Sequence, residues 1–579
     1  MAPVSLQAMD LTSLRAVVTE LKPLLLPSRF EKAQQADGHT LQLGFRTLEQ
    51  RLWLELSWQA EAPRLHAIEP PPRQGEGSTL AQQLQHGLSG LALVFLEQAA
   101  WERVVELGFA PRPGEAIQRW LVLELMSRHS NLFLLDEQRR VVAAARQVRQ
   151  QQSRLRPIGT GDPYSPPPPL SGQPPSRQES FASWQRQLSL LPLPLQKALQ
   201  SAYQGISPAL ALQLAGDQPE ASAALLAQHT DSLSPTQWQE LWQRWQAWLA
   251  AIESEAFVFS PGRSCTYRCW QENPSSTPQP AATAPLPINR ALAAYHHERL
   301  GQRLVQQRQH QLRQRLEQQL QRERSQMEHQ QHLLDQVENS DQLQQQADAL
   351  LCLPQPSREQ VAEAQGLYKR ARKLRRSVAA ITPRLEQHQQ RIEQLEASLT
   401  YLEQGPEHNS SAALDHLHTL EEECCTLLEL ARPGRAQRRQ LESAAPSPLE
   451  LHSPGGLRLQ VGRNHRQNEW ISLRQARRGD LWFHAQECPG SHVVLKGSEG
   501  LSGEQDLQAA ADLAAHFSRA RGNQRVAVVM VPCDELQRIP GAGPGTVRHR
   551  GGEVIWAEPS RGAALLVAAA PSLSGEQEP

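Results

Sequence analysis

The apolar positions in the first part of the chain follow two periods, one typical of strands and one typical of helices. Short β-type runs predict four strands, at residues 41–45, 52–56, 120–126 and 131–135. Residues 80–96 instead repeat their apolar positions at helical spacing, which predicts an amphipathic helix. Because strands and helices alternate in this way, residues 1–172 are expected to form an α+β domain.

Helical periodicity dominates the next segment, residues 180–270. It predicts helices at 188–203 and 209–214 on either side of the turn Gly205-Ile206-Ser207-Pro208. This arrangement resembles a helix-hairpin-helix module, in which backbone N–H groups at a helix N-terminus can hold a phosphate. In a further helix, residues 238–248, the tryptophans fall at helical spacing, so they are expected to form core and not a platform for stacked bases.

Residues 286–432 are expected to form a long antiparallel coiled-coil hairpin that holds the flanking domains apart. The stretch 289–349 lacks proline, so it predicts one helix on the order of 90 Å long. Pro354 and Pro356 interrupt that helix, and a second one starts near Ser357. The second helix repeats its core positions at the coiled-coil spacing of four and three residues, broken by one histidine: Leu374, Val378, Ile381, Leu385, His388, Ile392, Leu395, Leu399 and Leu402.

A dense cluster of polar residues lies in the stretch Val461–Lys496. The cluster is residues 463–468, and it precedes the apolar run 470–473. That run is expected to be a strand edge beside which these phosphate-type donors lie. The run 480–484 alternates, so that Trp482 and His484 share one strand face, before a turn into another strand. We therefore expect a small α+β domain at 451–562 and a tail at 563–579. A polar rim on such a domain would fit the composition equally well.

The overall charge is nearly balanced, since 59 Lys and Arg face 60 Asp and Glu among 579 residues. A nucleic-acid contact must therefore come from local basic patches. One patch, residues 138–161, holds arginines and no acid, and another lies on the second coiled-coil helix at 369–376. A solvated surface is the alternative interpretation of each. The length predicts several domains, and Pro- and Ser-rich linkers are expected at 163–179 and 271–287.

No catalytic or metal site is predicted. The chain has no Gly-x-x-x-x-Gly-Lys-Ser/Thr phosphate loop, no metal-ligand helix and no Gly-x-Ser-x-Gly elbow. The seven cysteines are sparse and odd in number, and Cys265 and Cys269 lack the second pair that a zinc site needs. No apolar run approaches the length of a membrane span and no signal peptide is recognised, so a cytoplasmic protein without cofactors is expected.

The order of residues in these motifs resembles the NFACT family. Its C-terminal NFACT-R domain is matched by residues 462–464, 466–468, 480–485, 489–493 and 539–547. Its NFACT-N domain, similar in fold to the N-terminal domain of formamidopyrimidine-type DNA glycosylases, is matched by residues 124–131 and 161–167. Its coiled coil is matched by residues 363–365 and 368–373. The implied architecture is multidomain α+β: the N-terminal domain, the helix-hairpin-helix module, the coiled-coil hairpin and the small NFACT-R domain.

The resemblance implies a factor of ribosome-associated quality control. Such a factor binds a large ribosomal subunit that carries peptidyl-tRNA. It then recruits a further tRNA, expected to be alanyl-tRNA, for template-free C-terminal tailing that marks the nascent chain for degradation. The expected partners are tRNA and rRNA. Peptide-bond formation would belong to the ribosome, so the chain itself is not expected to be an enzyme.

The resemblance also implies three groups of contact residues. The family has an Asp-Arg pair implicated in tRNA recruitment, and this chain has Glu102-Arg103, which an ordinary exposed pair would also explain. The tRNA-binding group is Glu102, Arg103, Arg128, His129 and Asn131. The RNA-binding group of the C-terminal domain is Arg463, Asn464, Arg466, Gln467, Asn468, Trp482, His484, Ser491 and His492. The ribosome contact on the coiled coil is Lys369, Arg370, Arg372 and Lys373.

Two other functions are open at this point. Many family members have been labelled fibronectin-binding proteins, so a surface adhesin is one alternative. The expected absence of an export signal, a wall anchor and disulfides argues against it. The other alternative is a generic RNA-binding scaffold that takes no part in tailing.

Overall fold

The computed structural model describes residues 6–73, 77–153, 155–168, 172–262, 266–272, 286–405, 410–425, 427–428, 446–539 and 543–569, without the side chains of 336–339. The chain divides into two compact units, Met1–Leu300 and Gly301–Pro579, which are described separately. Predictions for Arg154, Cys265, most of the linker at 271–287, residues 540–542 and the last ten residues fall outside the described ranges.

Nine strands form one antiparallel sheet within the described part of the first unit. The strands are β1 (Ser28–Asp37), β2 (Thr40–Arg46), β3 (Arg51–Ser57), β4 (Arg64–Ile68), β5 (Ala92–Gln98), β6 (Val104–Ala110), β7 (Arg119–Glu124), β8 (Asn131–Leu135) and β9 (Val141–Ala144). Their order in the sheet is β4-β3-β2-β1-β5-β6-β7-β8-β9. The predicted strands at 41–45, 52–56 and 131–135 are confirmed within β2, β3 and β8, and the strand predicted at 120–126 is confirmed as β7, which ends two residues earlier, at Glu124.

The predicted helix at 80–96 is only half correct. Helix α2 (Thr79–Leu88) occupies its first part, but Ala92–Gln98 is strand β5. Gly90 separates them with a φ of 81°, a left-handed conformation that suits glycine and ends the helix. The apolar residues after Gly90 are needed by the sheet, because β5 pairs with both β1 and β6. Tertiary pairing therefore overrides the helical spacing of this short apolar run.

Helix α1 (Leu11–Leu25) and α2 share one hydrophobic core with the sheet. Leu14, Val17 and Leu21 recur at helical spacing on α1 and are all buried. Asp10 caps α1, since its carboxylate accepts the Ser13 N–H at 2.9 Å. A smaller core, which includes Phe133 and Ile158, lies under the segment that follows β9.

A helical module completes the described part of the first unit. Its helices are α3 (Phe181–Leu188), α4 (Leu195–Ala202), α5 (Pro208–Ala215), α6 (Pro219–Ala227) and α7 (Pro235–Ser254), followed by the short strands β10 (Ser260–Pro261) and β11 (Tyr267–Arg268). The helix predicted at 188–203 starts later, at Leu195, because Pro194 precedes it as N-cap. Trp238, Trp245 and Trp248 are buried in the module's core, which confirms their predicted role.

The turn at Gly205–Ser207 contacts the start of α1. Gly205 has a φ of 78°, and a Cβ added there would lie 3.0 Å from Leu11 Cδ1. Ser207 Oγ donates to the Asp10 carboxylate at 3.1 Å, and Trp248 Nε1 donates to Thr12 Oγ1 at 2.9 Å. The module is therefore fixed to the N-terminus of α1 by polar contacts as well as by close packing.

Three helices follow: α8 (Pro287–Leu351), α9 (Arg358–Leu402) and α10 (Ser410–Cys424). In the second unit α8 and α9 run antiparallel, as the ion pairs Asp341–Arg375 at 2.7 Å and Glu323–Arg391 at 3.1 Å require. The break at Pro354 and the start after Ser357 agree with the predicted boundaries. Leu312, Leu316, Leu320, Ile392, Leu395 and Leu402 share a core with α10. Coiled-coil packing along the whole pair stays a prediction.

The C-terminal domain is a six-stranded sheet with helices on it. The strands are β12 (Leu449–His452), β13 (Arg458–Val461), β14 (Leu481–Ala485), β15 (Val493–Leu495), β16 (Val526–Pro532) and β19 (Glu553–Ala557), and a separate pair is formed by β17 (Gln537–Arg538) and β18 (Val547–Arg548). The helices are α11 (His465–Glu469), α12 (Glu504–His516) and α13 (Pro559–Ala569). The sheet order is β12-β13-β15-β14-β16-β19.

Two predictions for this domain are wrong. The run 470–473 is not a strand edge, because Trp470–Arg474 forms a π-helical turn that continues α11 and buries Ile471 and Ser472. Residues 563–569 are not a tail, because they lie in α13, where Leu565 and Leu566 pack against the sheet core. In both cases a short apolar run adopts a helical conformation and packs apolar side chains against the adjacent core of the domain.

Two glycine-to-alanine substitutions are expected to have opposite effects on stability. Gly205→Ala should lower the free energy of unfolding by about 1–2 kcal/mol, because the left-handed conformation disfavours a Cβ. Gly366→Ala, within α9 and with nothing near its Cβ position, should raise it by about 0.5–1 kcal/mol. Urea unfolding of both variants and the parent measures the difference, and a shift of the same sign in both would contradict the assigned conformations.

Candidate nucleic-acid interface

One end of the nine-stranded sheet gathers the predicted tRNA-binding residues. Glu102 and Arg103 immediately precede β6, and Asn131 begins β8. Since β7 runs antiparallel to both, the start of β6, the end of β7 and the start of β8 lie at the same end. The Leu125 N–H donates to the Arg103 carbonyl at 2.9 Å, which joins the two predicted segments directly.

Asp10 lies in the same group, although sequence reasoning missed it. Its carboxylate is buried, accepts from Ser207 and is close enough to Arg103 to interact electrostatically. Burial lowers the pKa of Arg103, whereas the charges of Asp10 and Glu102 act in the opposite direction. The only sequence signal for Asp10 is its capping position ahead of the apolar run of α1. Two carboxylates and one guanidinium are thus brought together.

A buried ion pair ties the two N-terminal motifs to each other. Glu124 is 1% exposed and accepts from Arg156 Nη1 at 2.8 Å and Nη2 at 2.6 Å. Tyr164 Oη donates to the same carboxylate at 2.9 Å, and burial together with Glu124 raises the pKa of Tyr164. A bidentate pair of this kind fixes geometry strongly. Arg156 is therefore part of the fold and is not free to bind phosphate.

Beside this pair is a cavity of about 770 Å³. Its lining includes Arg128, His129 and Arg146, all with exposed side chains. Asn131 also lines it but is buried, and its side chain bonds both backbone groups of Arg146, donating to the carbonyl at 2.8 Å and accepting the N–H at 2.9 Å. The structure thus brings three predicted tRNA-binding residues, Arg128, His129 and Asn131, together around this cavity. Asn131 itself fixes the backbone of the segment that carries the exposed Arg146.

The arginines of residues 138–161 divide into two sets. Arg139 is paired with Glu106 through bonds of 2.6 and 2.7 Å and lies 4.2 Å from the centre of the Trp120 ring. Like Arg156, it is committed to a partner. Arg146 and Arg149 are exposed and follow β9, at the same sheet end as Asn131, where they provide positive charge. Arg140 is also exposed, but it lies in the turn between β8 and β9, at the opposite end of these strands.

In the C-terminal domain, several predicted donors are bonded inside the protein. Asn464 caps α11 by accepting the Gln467 N–H at 2.8 Å. Asn468 Nδ2 donates to Tyr401 Oη at 2.8 Å, and its Oδ1 accepts the His492 N–H at 3.1 Å. Gln467 Nε2 donates to a backbone carbonyl, and Ser491 Oγ donates to Gln404 Oε1 at 2.9 Å. These four side chains are buried, and their role as RNA contacts stays a prediction.

Gly462 and Gly545 lie where the neighbouring helix α11 leaves no room for a side chain. A Cβ at Gly462 would lie 2.2 Å from Asn468 Oδ1. Gly545 has a φ of 79°, and a Cβ there would lie 2.7 Å from the His465 carbonyl oxygen. Both glycines allow a backbone segment to pack directly on α11. The described part of the segment 539–547, which resembles the NFACT-R motif, therefore packs against α11 at Gly545.

An aromatic cluster occupies the sheet face beside α11. The Trp482 and His484 rings stack at 5.5 Å with an interplanar angle of 5°, which confirms that they share a strand face. His492 meets both rings edge-on, at 5.1 and 5.4 Å, and His549 lies 5.6 Å from Trp482. These rings line a cavity of about 510 Å³ whose other wall is α9. Trp482 Nε1 is buried there without a hydrogen-bond partner among the described residues.

Two histidines of this cluster, His484 and His492, and the neighbouring His465 are neutral at physiological pH. Burial lowers the pKa of His484 to about 4 and that of His465 to about 4, and it lowers the pKa of His492 well below its usual range. Neutral rings can stack on a nucleobase and offer one donor and one acceptor each. Positive charge for binding phosphate must therefore come from other side chains than these histidines. The neighbouring Arg463 carries a guanidinium whose pKa is lowered by burial.

The remaining predicted cations are placed as follows. Arg466 is partly buried at α11, where its backbone N–H donates to Glu423 at 3.2 Å. Lys369, Arg370, Arg372 and Lys373 are exposed along α9. Within the described residues, no three His, Cys, Asp or Glu side chains are grouped to hold a metal ion, and no helix is long and apolar enough to cross a membrane.

Acid is expected to destabilise the C-terminal domain through its buried histidines. A histidine whose pKa is lowered on folding binds more protons when unfolded, so stability falls as pH drops from about 6.5 toward 4. His484→Phe keeps a ring stacked on Trp482 but removes one proton that is taken up on unfolding. The slope of the free energy of unfolding against pH should therefore fall by about 1.4 kcal/mol per pH unit. Urea unfolding between these pH values measures the slope. The exposed His452→Phe is the control, and an unchanged slope in His484→Phe would contradict burial of a neutral ring.

These observations define a protein of two compact units, each mixed helix and sheet, with exposed arginines at one sheet end and an aromatic cluster on another sheet face. The chain belongs to the NFACT family. The family model of the NFACT N-terminal and middle domains matches residues 10–360, and that of the NFACT protein RNA binding domain matches residues 451–551.

Similarity to named proteins covers between about a third and nearly all of the chain. The "Rqc2 homolog RqcH" of Streptococcus pneumoniae (strain ATCC BAA-255 / R6) is 26% identical over 582 residues, covering 94% of this chain and 97% of the relative. The protein of the same name from Bacillus subtilis (strain 168) is 31% identical over 205 residues, 35% of this chain and 34% of the relative. A solved structure of the C-terminal part of the fibronectin/fibrinogen-binding protein from Streptococcus suis covers 45% of this chain and 98% of its own, with 28% identity and a TM-score of 0.37.

Proposed function

We propose that this protein is a factor of ribosome-associated quality control that binds stalled large ribosomal subunits carrying peptidyl-tRNA. It recruits a further tRNA, alanyl-tRNA, so that the nascent chain is extended at its C-terminus without a template and marked for degradation. Membership of the NFACT family and the similarity to proteins named Rqc2 homolog RqcH over 94% of the chain support this proposal. Its site of action is the cytoplasm, where ribosomes are found.

The observation that carries the tRNA part is the gathering of Glu102 and Arg103 with exposed arginines at one sheet end. Arg128, Arg146 and Arg149 are suited to phosphates, which position a nucleic acid without reading its sequence. The carboxylate of Glu102 can accept hydrogen bonds from base amino groups, which arginines cannot do. A surface with both groups can therefore hold the backbone and also discriminate between bases.

The second unit supplies the remaining contacts in this proposal. The exposed cations Lys369, Arg370, Arg372 and Lys373 of α9 bind rRNA phosphates, and the aromatic cluster at Trp482 and His484 contacts RNA bases. The protein performs no covalent step. It holds the aminoacyl-tRNA in position, and the ribosome makes the peptide bond.

Removal of the charged pair is expected to abolish tailing without abolishing ribosome binding. The double variant Glu102→Ala with Arg103→Ala should leave stalled nascent chains without added C-terminal alanine, because tRNA recruitment loses its charged contacts. The measurement is mass spectrometry of the C-termini of nascent chains from cells with blocked translation, together with sedimentation of the variant with large subunits. The ion pair Glu31–Arg51 of the same domain, at 3.0 Å, provides the matched double-alanine control.

Four results would separate the alternatives. Unchanged tails in the double variant would refute the role of Glu102 and Arg103. Failure of the parent protein to sediment with large subunits under translational arrest would refute the quality-control function as a whole. Cell fractionation that finds the protein only at the outer surface would favour the adhesin alternative. Normal subunit binding by a parent that never supports tailing would favour the RNA-binding scaffold.

A further inference from the structure

Strand β19 carries an exposed tryptophan at the edge of the C-terminal sheet. All tryptophans of the protein lie in described residues, and only Trp556 among them is exposed, with 63% of its surface accessible. Val554, two residues earlier and on the same strand face, is 50% exposed. A large aromatic side chain left in water on a sheet face indicates a binding surface.

The strand register places Trp556 on the same face as the aromatic cluster. Val554 pairs with Val529, which in turn pairs with His484, and directly paired residues point to the same side of a sheet. Trp556 pairs with Ala527, whose small side chain leaves the indole uncovered. The opposite face is already filled, because Phe483 and Val528 pack there with α12. Trp556 therefore lies on the same sheet face as the stacked rings of Trp482 and His484, two strands away from them.

Positive charge borders this face. Arg548 and Arg550 are exposed on either side of His549, whose ring lies 5.6 Å from Trp482. The same segment crosses the sheet face, since a Cβ at Gly552 would lie 2.7 Å from Val529 Cγ2. At the other end of this face Arg525 lies 3.5 Å from the Glu558 carboxylate, so its charge already has a partner. The acid of the strand itself, Glu553, alternates to the opposite face.

We propose that Trp556 is a nucleobase-stacking residue that binds an unpaired base of single-stranded RNA, with the adjoining phosphates held by Arg548 and Arg550. This inference rests on the RNA-binding function proposed above and names the form of RNA that this face takes. Aromatic side chains in sheets stack on bases that are free to leave their own helix. A base in a duplex is already stacked on its neighbours, so the face selects single strands. Residue 556 lies beyond the segment matched by the RNA binding domain model, 451–551.

The residues at the border favour RNA over a second copy of this protein. Strand β19 has no neighbouring strand on its outer side, so pairing with another copy is the competing use of this edge, although the Trp556 carbonyl already accepts from Gln508 Nε2 at 3.1 Å. A second copy of this edge would bring two more cations, its own Arg548 and Arg550, to the interface, and like charges disfavour association. Phosphates meet the same cations favourably.

The test is the affinity of the full-length protein for a labelled oligouridine of about ten nucleotides, compared with a blunt RNA duplex. Trp556→Ala should weaken binding of the single strand roughly tenfold, whereas Trp556→Phe should retain most of the affinity because it keeps an aromatic face. Duplex binding should not change in either variant. Leu501→Ala, at a fully exposed apolar position of the same unit, is the matched control and should bind as the parent does.

Affinity and sedimentation together make the result decisive. Equal single-strand affinity in Trp556→Ala and the parent overturns the inference, as does a parent that binds no single strand. A parent dimer that becomes monomeric in Trp556→Ala with unchanged RNA affinity assigns the edge to self-association and also overturns it. The proposed function is tested separately by sedimentation with stalled large subunits, which can fail while Trp556-dependent oligouridine binding persists, or succeed while that dependence is absent.

Discussion

Antiparallel pairing is the constraint on which the candidate interface of the first unit depends. It returns every second connection to the same end of the sheet, so segments far apart in sequence meet there. The register places Val104 opposite Glu124 and Glu124 opposite Asn131, which fixes the loops before β6 and β8 side by side. A slip of one residue would turn Glu124 away from Arg156 and leave a buried charge unpaired. Strand register and the buried ion pair therefore stabilise each other, and both position the charged loops.

The second constraint is that a polar group removed from water needs a partner. Asn464, Gln467 and Asn468 look like a set of phosphate donors because they are polar and adjacent. In the folded domain they cap α11 and fix it to Tyr401 and to the strand that begins after His492. A run of amide side chains in a sequence can serve to bind phosphate or to cap and fix a helix. Only the burial of these side chains in the folded protein distinguishes the two roles. The aromatic rings of the same domain show the converse, since Trp482 and His484 are partly or wholly buried yet still line a cavity.

Much of the fold could be predicted from the sequence, and the failures have common causes. The strands at 41–45, 52–56 and 131–135 and the boundaries of α8 and α9 follow from period, proline and capping, which are local signals. The predictions for residues 92–96, 470–473 and 563–569 are wrong because short apolar runs adopt whatever conformation covers the adjacent core. Asp10 escapes sequence reasoning because its neighbours in space, Arg103 and Ser207, are distant in sequence. Contacts of that kind arise from topology, and no local pattern contains them.

The two candidate surfaces differ in the free energy on which RNA binding would rest. In the proposed function, exposed arginines such as Arg128 and Arg146 would bind phosphates, so the binding free energy that they contribute would fall as the salt concentration rises and counterion release weakens. Stacking on Trp556 depends on contact between ring faces and is insensitive to strand sequence, but it requires a base that is already unpaired. With a net charge of −1 the protein exerts little long-range attraction on RNA. Under the proposal for Trp556, selection between RNA forms would therefore be made at contact, where an aromatic face would disfavour duplexes that the arginines alone would accept.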